Sequence, residues 1–246
     1  MLAAKRERVK EADKAMPMKR SAASSKVRVF LVDDHPIIRR GFQLLLGMEP
    51  DLMVCGEADS GPAALQKILA LKPDVAIVDL SLKASTGLDL IKQLRAQAVP
   101  VKLLVFTMRD EGIYAERALR AGADGYITKE EGTEKVIEAI RLLMQGKRYL
   151  SDKMAEKMMD SLTGTAPGTR SAVQSLSDRE LEVLELLGEG LGSREIAEKL
   201  HLSIKTIESH REHMKVKLGL ARATELVNYA FNWFHGEHAE PKGKRR

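Results

Sequence analysis

The sequence predicts an α/β fold, a five-stranded parallel sheet wound on both faces by helices, followed by a small all-α domain. Three observations carry this. Strand patterns at about 27–32, 53–57, 74–78, 101–106 and 124–128 alternate with helical patterns near 36–48, 61–71, 87–97, 111–121 and 132–146. Five such βα units imply strands buried on both faces. Two of the runs end in acids: VFLVDD closes on Asp33 and Asp34, and VAIVD closes on Asp79. Beyond residue 176 the strand pattern stops, and only helical periodicity with capping residues remains.

Taken in order, Pro36 suits a first helical turn and Gly122, after ALRA, a helix end. In SDKMAEKMMDSL (151–162), Met154, Met158 and Leu162 recur every four residues and predict one more helix. GTAPGTRSAVQS, with Gly164, Pro167 and Gly168, reads as a flexible linker spanning ~20 Å if coiled. Ser177 and Glu180 form a capping box before LEVLELL, Ser193 is expected to cap REIAEKL, and Ser203 to cap a helix from Ile204 to Leu218 that Gly219 closes. A last helix is expected near Thr224. The short HLS link between the second and third of these helices fits a helix-turn-helix. The expected organisation is a basic tail (1–25) without order, an α/β domain (26–150), a linker (151–175), a helical domain (176–236) and a second basic tail (237–246).

At 246 residues the chain exceeds one typical domain. Its 44% hydrophobic and 30% charged content is that of a soluble globular protein, and no apolar stretch approaches the ~18 residues of a membrane span. The opening segment lacks the apolar core of a signal peptide. Cys55 is the only cysteine, which fits a reducing cytoplasm. A cytoplasmic location with no membrane partner is therefore expected. The net charge of +5 resides in residues 1–26, whereas 27–150 are neutral and 176–235 carry −2. Overall basicity is thus no argument for nucleic-acid binding, and the local distribution has to decide it.

In a doubly wound sheet the ligand crevice lies beyond the carboxyl ends of the strands, where Asp33, Asp34 and Asp79 would converge. Clustered carboxylates repel one another unless a hard divalent cation lies between them, and Mg²⁺ favours one or two carboxylates with water and phosphate oxygens. VKLLVFT ends in Thr107, and DGYITK brings Tyr126 and Lys129 to the same edge. Lysine is a point-charge phosphate binder. His35 follows the acids but is a nitrogen ligand, unsuited to Mg²⁺. The pattern points to phosphoryl chemistry.

Asp33/Asp34, Asp79, Thr107 and Lys129, each at a strand end and in that order, resemble the receiver domain of bacterial two-component response regulators over about residues 26–150. The resemblance implies a flavodoxin-like fold in which Asp79 accepts a phosphoryl group from a phosphohistidine of a sensor histidine kinase. It also implies Mg²⁺ held by Asp34 and Asp79 directly, by Asp33 mostly through water, and by the backbone carbonyl of Ser81. Thr107 and Lys129 would hold phosphoryl oxygens and Tyr126 would act as a switch. Lys83 and Glu130 stand where many receivers have Pro, and neither change removes a phosphate contact; the bulky Met108, where smaller residues are common, could hinder the hydrolytic water and leaves the hydrolysis rate of the acyl phosphate open.

In the helical half, residues 205–222 carry a local charge of +3. Ile207, Met214 and Leu218 form an apolar stripe, which leaves Lys205, Glu208, Ser209 and Glu212 turned outward. A recognition helix needs such a split. His210 and His213 have no cysteine or carboxylate at zinc spacing. The stretch from LSDRELEVLELL through EIAEKL to KTIESH is similar to the LuxR-type helix-turn-helix domain over about 176–230. Together with a receiver, it is the pattern of the NarL/FixJ family of transcriptional regulators. The resemblance implies double-stranded promoter DNA as partner, a homodimer in the phosphorylated state, and contact with RNA polymerase. From helical phase, phosphate contacts are assigned to Lys205, Arg211, Lys215 and Lys217, and base-edge contacts to Thr206, Glu208, Ser209 and Glu212. Leu226, Val227 and Tyr229 are the expected dimer face. An unphosphorylated receiver would mask the recognition helix or hold the protein monomeric.

Two rivals are weaker. A phosphohydrolase of the haloacid dehalogenase type wants D-x-D-x-T/V after its first strand, and DDHPI departs from it. A ligand-sensing LuxR-type regulator needs an aromatic-lined pocket, against four Tyr, five Phe and one Trp in the chain. The expected protein is a regulator and not a turnover enzyme. A receiver working without phosphate stays open, although the acidic set argues against it.

Overall fold

In a computed structural model, the described residues are 26–82, 85–152, 154–156 and 172–235. The tails 1–25 and 237–246, Lys83, Met158, Leu162 and most of the expected linker, including Gly164, Pro167 and Gly168, lie outside them.

The first half alternates strand and helix: β1 (Val27–Val32), α1 (Pro36–Gly47), β2 (Leu52–Ala58), α2 (Gly61–Leu71), β3 (Val75–Val78), a two-residue ladder β4 (Ser81–Leu82) with β5 (Ser85–Thr86), α3 (Gly87–Ala96), β6 (Lys102–Thr107), α4 (Glu111–Ala121), β7 (Gly125–Thr128), a 3-10 turn (Lys129–Glu131) and α5 (Glu134–Met144). The five main strands pair in parallel in the order β2-β1-β3-β6-β7. Sequence had not shown the β4–β5 ladder, which is too short to leave a hydrophobic period.

Alternation along each strand builds two cores. Val29 and Leu31 face α1 and α5 with Phe42, Leu46, Ile140 and Leu143, whereas Phe30 and Val32 face the side of α2, α3 and α4. Pro36 opens α1 and Gly122, at φ 111°, ends α4 in the left-handed conformation that glycine tolerates. Thr86 caps α3 by accepting a bond from Asp89 N at 3.0 Å.

In the second half, a 3-10 turn (Ala172–Ser175) precedes α6 (Asp178–Gly188), α7 (Ser193–Leu200), α8 (Ile204–Leu218) and α9 (Ala223–Phe234). Within the expected helix over 151–162, Asp152 and residues 154–156 are helical, and Met154 is buried. The Ser177–Glu180 capping box forms, with Ser177 N donating to Glu180 Oε2 at 2.7 Å and Glu180 N to Ser177 Oγ at 3.3 Å. Ser203 caps α8, and Gly219 closes it at φ 69°. One cap is misplaced by a residue: Ser193 is the first residue of α7, preceded by Gly192 at the cap position, whose N–H donates to Glu195 Oε2 at 2.8 Å. Glycine at the cap costs only a few tenths of a kcal/mol relative to serine. The Ser193 hydroxyl instead accepts from Arg211.

Candidate functional site

Strand register assembles the site. Val32 pairs with Val78, so Asp33 and Asp79, the next residue on each strand, emerge side by side at the carboxyl edge. Thr107 pairs with Thr128, which brings Lys129 to the same edge one residue later. Lys129 Nζ lies over the Phe106 ring, 5.8 Å from its centroid, and donates to Asp33 Oδ2 at 2.8 Å and Asp79 Oδ2 at 2.6 Å. All three side chains are nearly buried. Burial opposes the lysine's charge, but Asp79 and Asp33 outweigh it and hold its pKa above the ordinary lysine value.

Asp33, Asp34, His35 and Asp79 offer ligand atoms within 4.8 Å of one another. Asp34 Oδ1 is buried without a hydrogen-bond partner, although His35 Nδ1 lies 2.8 Å away in a geometry that makes no hydrogen bond. A buried, unsatisfied carboxylate oxygen facing two further carboxylates suits a hard cation, so the residues fit Mg²⁺. His35 comes closer to the acids than its chemistry suggested: its N–H donates to Asp33 Oδ1 at 2.7 Å, while its ring is largely exposed.

Thr107 is fully buried, and its hydroxyl accepts from Arg109 N at 3.4 Å. Tyr126 is also fully buried, and its hydroxyl donates to the Arg109 carbonyl at 2.9 Å. Desolvation pushes the Tyr126 pKa well up, so it stays a neutral donor. Ser81 N donates to Asp79 Oδ1 at 3.1 Å, and Ser81 Oγ accepts from Arg109 Nε at 2.9 Å. Gly87, at the start of α3, lies so close that a Cβ there would be 2.2 Å from the Asp79 carbonyl oxygen.

Arg109 also leaves the α/β domain. Its guanidinium pairs with Glu185 of α6, a buried residue whose Oε1 accepts from Tyr114 Oη at 2.6 Å. A second contact lies about two turns back along the same helix, at its first residue: Asp178 accepts from Lys92 Nζ at 2.6 Å and Arg117 Nη1 at 2.8 Å. Partial burial would raise the Asp178 pKa, but the bonds from Lys92 and Arg117 win and lower it. Between the two domains a cleft of about 830 Å³ runs from Met108 and Ile113 to Leu200 and Trp233.

In α8, Ile207, Met214 and Leu218 are buried, and Lys205, Glu208, Ser209 and Glu212 are exposed, as the apolar stripe requires. The receiver docks on α6, and this outward face of α8 is exposed to solvent. Lys205 projects freely into solvent, and Thr206 bonds Ser203 across the cap. Arg211 turns toward Ser193, Lys215 pairs with Glu212 at 2.8 Å, and Lys217 pairs with Glu180 at 2.6 Å. Of the expected dimer face, Leu226 belongs to the helical core at 0% exposure, because α9 turns it toward α6. Val227 is exposed on α9, Tyr229 is partly buried, and Phe231 and Phe234 extend the exposed apolar face.

Sequence reasoning missed Arg109, Tyr114, Glu185, Asp178 and Gly87. Arg109 had one available signal, its place two residues after Thr107, whereas Glu185 and Asp178 meet their partners only after the domains dock.

Comparison with known proteins agrees with this geometry. The model of the response regulator receiver domain matches residues 29–141, and that of bacterial regulatory proteins of the luxR family matches residues 174–230. The oxygen regulatory protein NreC of Staphylococcus aureus is 36% identical over 209 residues, covering 83% of this chain and 96% of the relative. RcsB of Salmonella enterica serovar Typhimurium, solved on promoter rprA in the presence of the phosphomimetic BeF₃⁻, is 28% identical with a TM-score of 0.60, over 84% of this chain and 98% of that one. A LuxR-family two-component response regulator from Aurantimonas is 31% identical with a TM-score of 0.53, over 56% of this chain and 99% of that one. No helix among the described residues is long and apolar enough to cross a membrane. With a receiver site at the carboxyl edge of its sheet and a LuxR-type helix-turn-helix behind it, the chain belongs to the NarL/FixJ family of response regulators, transcriptional regulators that couple phosphorylation to DNA binding.

Proposed function

We propose that Asp79 is the phosphoacceptor and that its partner is a sensor histidine kinase. The observation that carries this is Lys129 Nζ bridging Asp79 and Asp33 beside the unsatisfied Asp34 oxygen, a cation and an acid cluster at one edge of the sheet. An Asp79 carboxylate oxygen forms a bond to phosphorus while the P–N bond to the donor imidazole breaks, and the imidazole, already protonated on its other ring nitrogen, leaves as the neutral base. Lys129 moves from the carboxylates to the new phosphoryl oxygens, keeping its charge throughout. Thr107 exchanges its bond from Arg109 N for one to a phosphoryl oxygen. Asp34, Asp79 and the Ser81 carbonyl would hold Mg²⁺, with Asp33 in support; when bound, the ion neutralises charge on the transferring group.

The output is binding of promoter DNA as a homodimer in the cytoplasm. The exposed face of α8 supports this reading: Lys205 meets phosphate, while Thr206, Glu208, Ser209 and Glu212 face base edges. The Lys215–Glu212 pair is a surface ion pair worth well under about 1 kcal/mol, so DNA can take Lys215 from it. Lys217 and Arg211 are held by Glu180 and Ser193 and must be released to reach phosphate. The exposed residues Val227, Phe231 and Phe234 supply apolar surface for a partner copy.

Incubation with acetyl phosphate and Mg²⁺ tests the assignment. Wild type acquires an acid-stable, base-labile phosphoryl group and Asp79→Asn does not, because an amide cannot attack phosphorus. Equal labelling of the two proteins would refute it.

A further inference from the structure

We infer that the DNA-binding domain restrains the phosphoacceptor site through Glu185, a positioning residue that fixes Arg109 against Ser81. This rests on Asp79 as phosphoacceptor. Four contacts meet at Arg109: its guanidinium is shared between Glu185 and Ser81 Oγ, its N–H bonds the Thr107 hydroxyl, and its carbonyl receives the Tyr126 hydroxyl. Ser81 in turn bonds Asp79 through its N–H. A three-residue path, Glu185–Arg109–Ser81, therefore joins α6 to the acid that would be phosphorylated.

The chemistry of Glu185 gives the path its direction. The carboxylate is buried at the domain interface, held by Tyr114 Oη on one oxygen and by Arg109 on the other. A buried carboxylate stripped of its cation is strongly disfavoured, so as long as the domains are docked Arg109 stays with Glu185. The face of Tyr114 confines it further, with the guanidinium carbon 5.5 Å from the ring centroid. For Thr107 to reach a phosphoryl oxygen its side chain must shift, which stretches the bond from Arg109 N, already 3.4 Å, and pulls on the chain between them. The anchored guanidinium resists that shift. Docking thus opposes phosphorylation, and by linkage phosphorylation must loosen docking by the same factor. The Asp178 contacts with Lys92 and Arg117 hold the same two domains without touching Ser81 or Thr107.

The test is a double-mutant cycle on the full chain, reading the initial rate of labelling by acetyl phosphate with Mg²⁺ in wild type, Glu185→Gln, Arg109→Ala and the double variant. Sites coupled in this way differ by about fivefold or more. Both single variants should label at least about fivefold faster than wild type, and the double variant should be no faster than either, because both cut one path. Glu185→Gln acts from another domain, so a receiver folding defect cannot mimic its effect; should it fail to fold by circular dichroism, Arg109→Ala carries the same expectation from the receiver side. Single-variant rates within twofold of wild type, or rate gains that multiply in the double variant, would overturn the inference. Asp79→Asn separates the two failures: if it blocks labelling while the cycle is flat, only the restraint falls, and if it labels normally the phosphoacceptor reading falls and takes the restraint with it.

Discussion

Lys129 Nζ lies 2.6 Å from Asp79 Oδ2, and the same nitrogen is 2.8 Å from Asp33. One cation thereby bridges two adjacent buried carboxylates and offsets one of their two charges. Lys129→Met should leave them facing each other, at a cost of about 3 kcal/mol by analogy with broken buried ion pairs. Urea unfolding without divalent cation should show that loss, and millimolar Mg²⁺ should recover part of it. Because the Lys129 pKa is raised in the folded protein, its contribution is complete below its ordinary value of 10.5 and disappears only as pH rises through the higher folded value. A variant as stable as wild type in EDTA would contradict this account.

Among the described glycines, Gly87 is the one whose missing side chain shapes the phosphoacceptor loop. An added Cβ would sit 2.2 Å from the Asp79 carbonyl oxygen and 2.8 Å from Leu80 Cα, both backbone atoms that cannot rotate aside. Gly87→Ala should destabilise by about 1–3 kcal/mol, the usual range for overpacking, and slow labelling of Asp79. Thermal melting together with the acetyl phosphate assay checks both.

Domain docking should depend on acid through Asp178. Its pKa is lowered below 3.8 in the docked protein because Lys92 and Arg117 outweigh burial, so its contribution is present above pH 3.8 and is lost as pH falls through the docked value. Asp178→Asn should loosen docking at neutral pH. Energy transfer between fluorophores placed on α3 and α9 should fall in that variant, and an unchanged signal would show that this ion pair contributes nothing to docking.

On DNA, Lys205→Ala should weaken binding to specific and non-specific sequences alike and reduce the salt slope by about 1, since it removes one phosphate contact. Ser209→Ala should instead alter the preference among operator variants at constant salt slope. Titrations at several salt concentrations distinguish the two; if Lys205→Ala keeps the full slope, the helix meets DNA with another face.

Much of this was legible before any coordinates. Apolar runs ending in Asp33/Asp34 and Asp79 place acids beyond parallel strands, because a strand buried on both faces shows itself as an uninterrupted apolar run and its end marks the crevice. The stripe of Ile207, Met214 and Leu218 set the phase of α8 in the same way, through a period of 3.6 that burial alone imposes. These are local consequences of side-chain chemistry along one element. Docking is not local. Arg109 could be read as a solvated arginine and Glu185 as a face residue of an acidic helix, and nothing in either segment reveals that they meet across 76 positions of chain. Leu226 was misassigned for the same reason: on an isolated amphipathic helix an apolar residue can serve a core or a partner, and only the packing of α9 on α6 separates Leu226, buried, from Val227, exposed. Sequence alone thus determined which chemistry each strand end carries, while the tertiary structure decided which side chains share a charge, because pairing depends on distances between elements that no single element encodes.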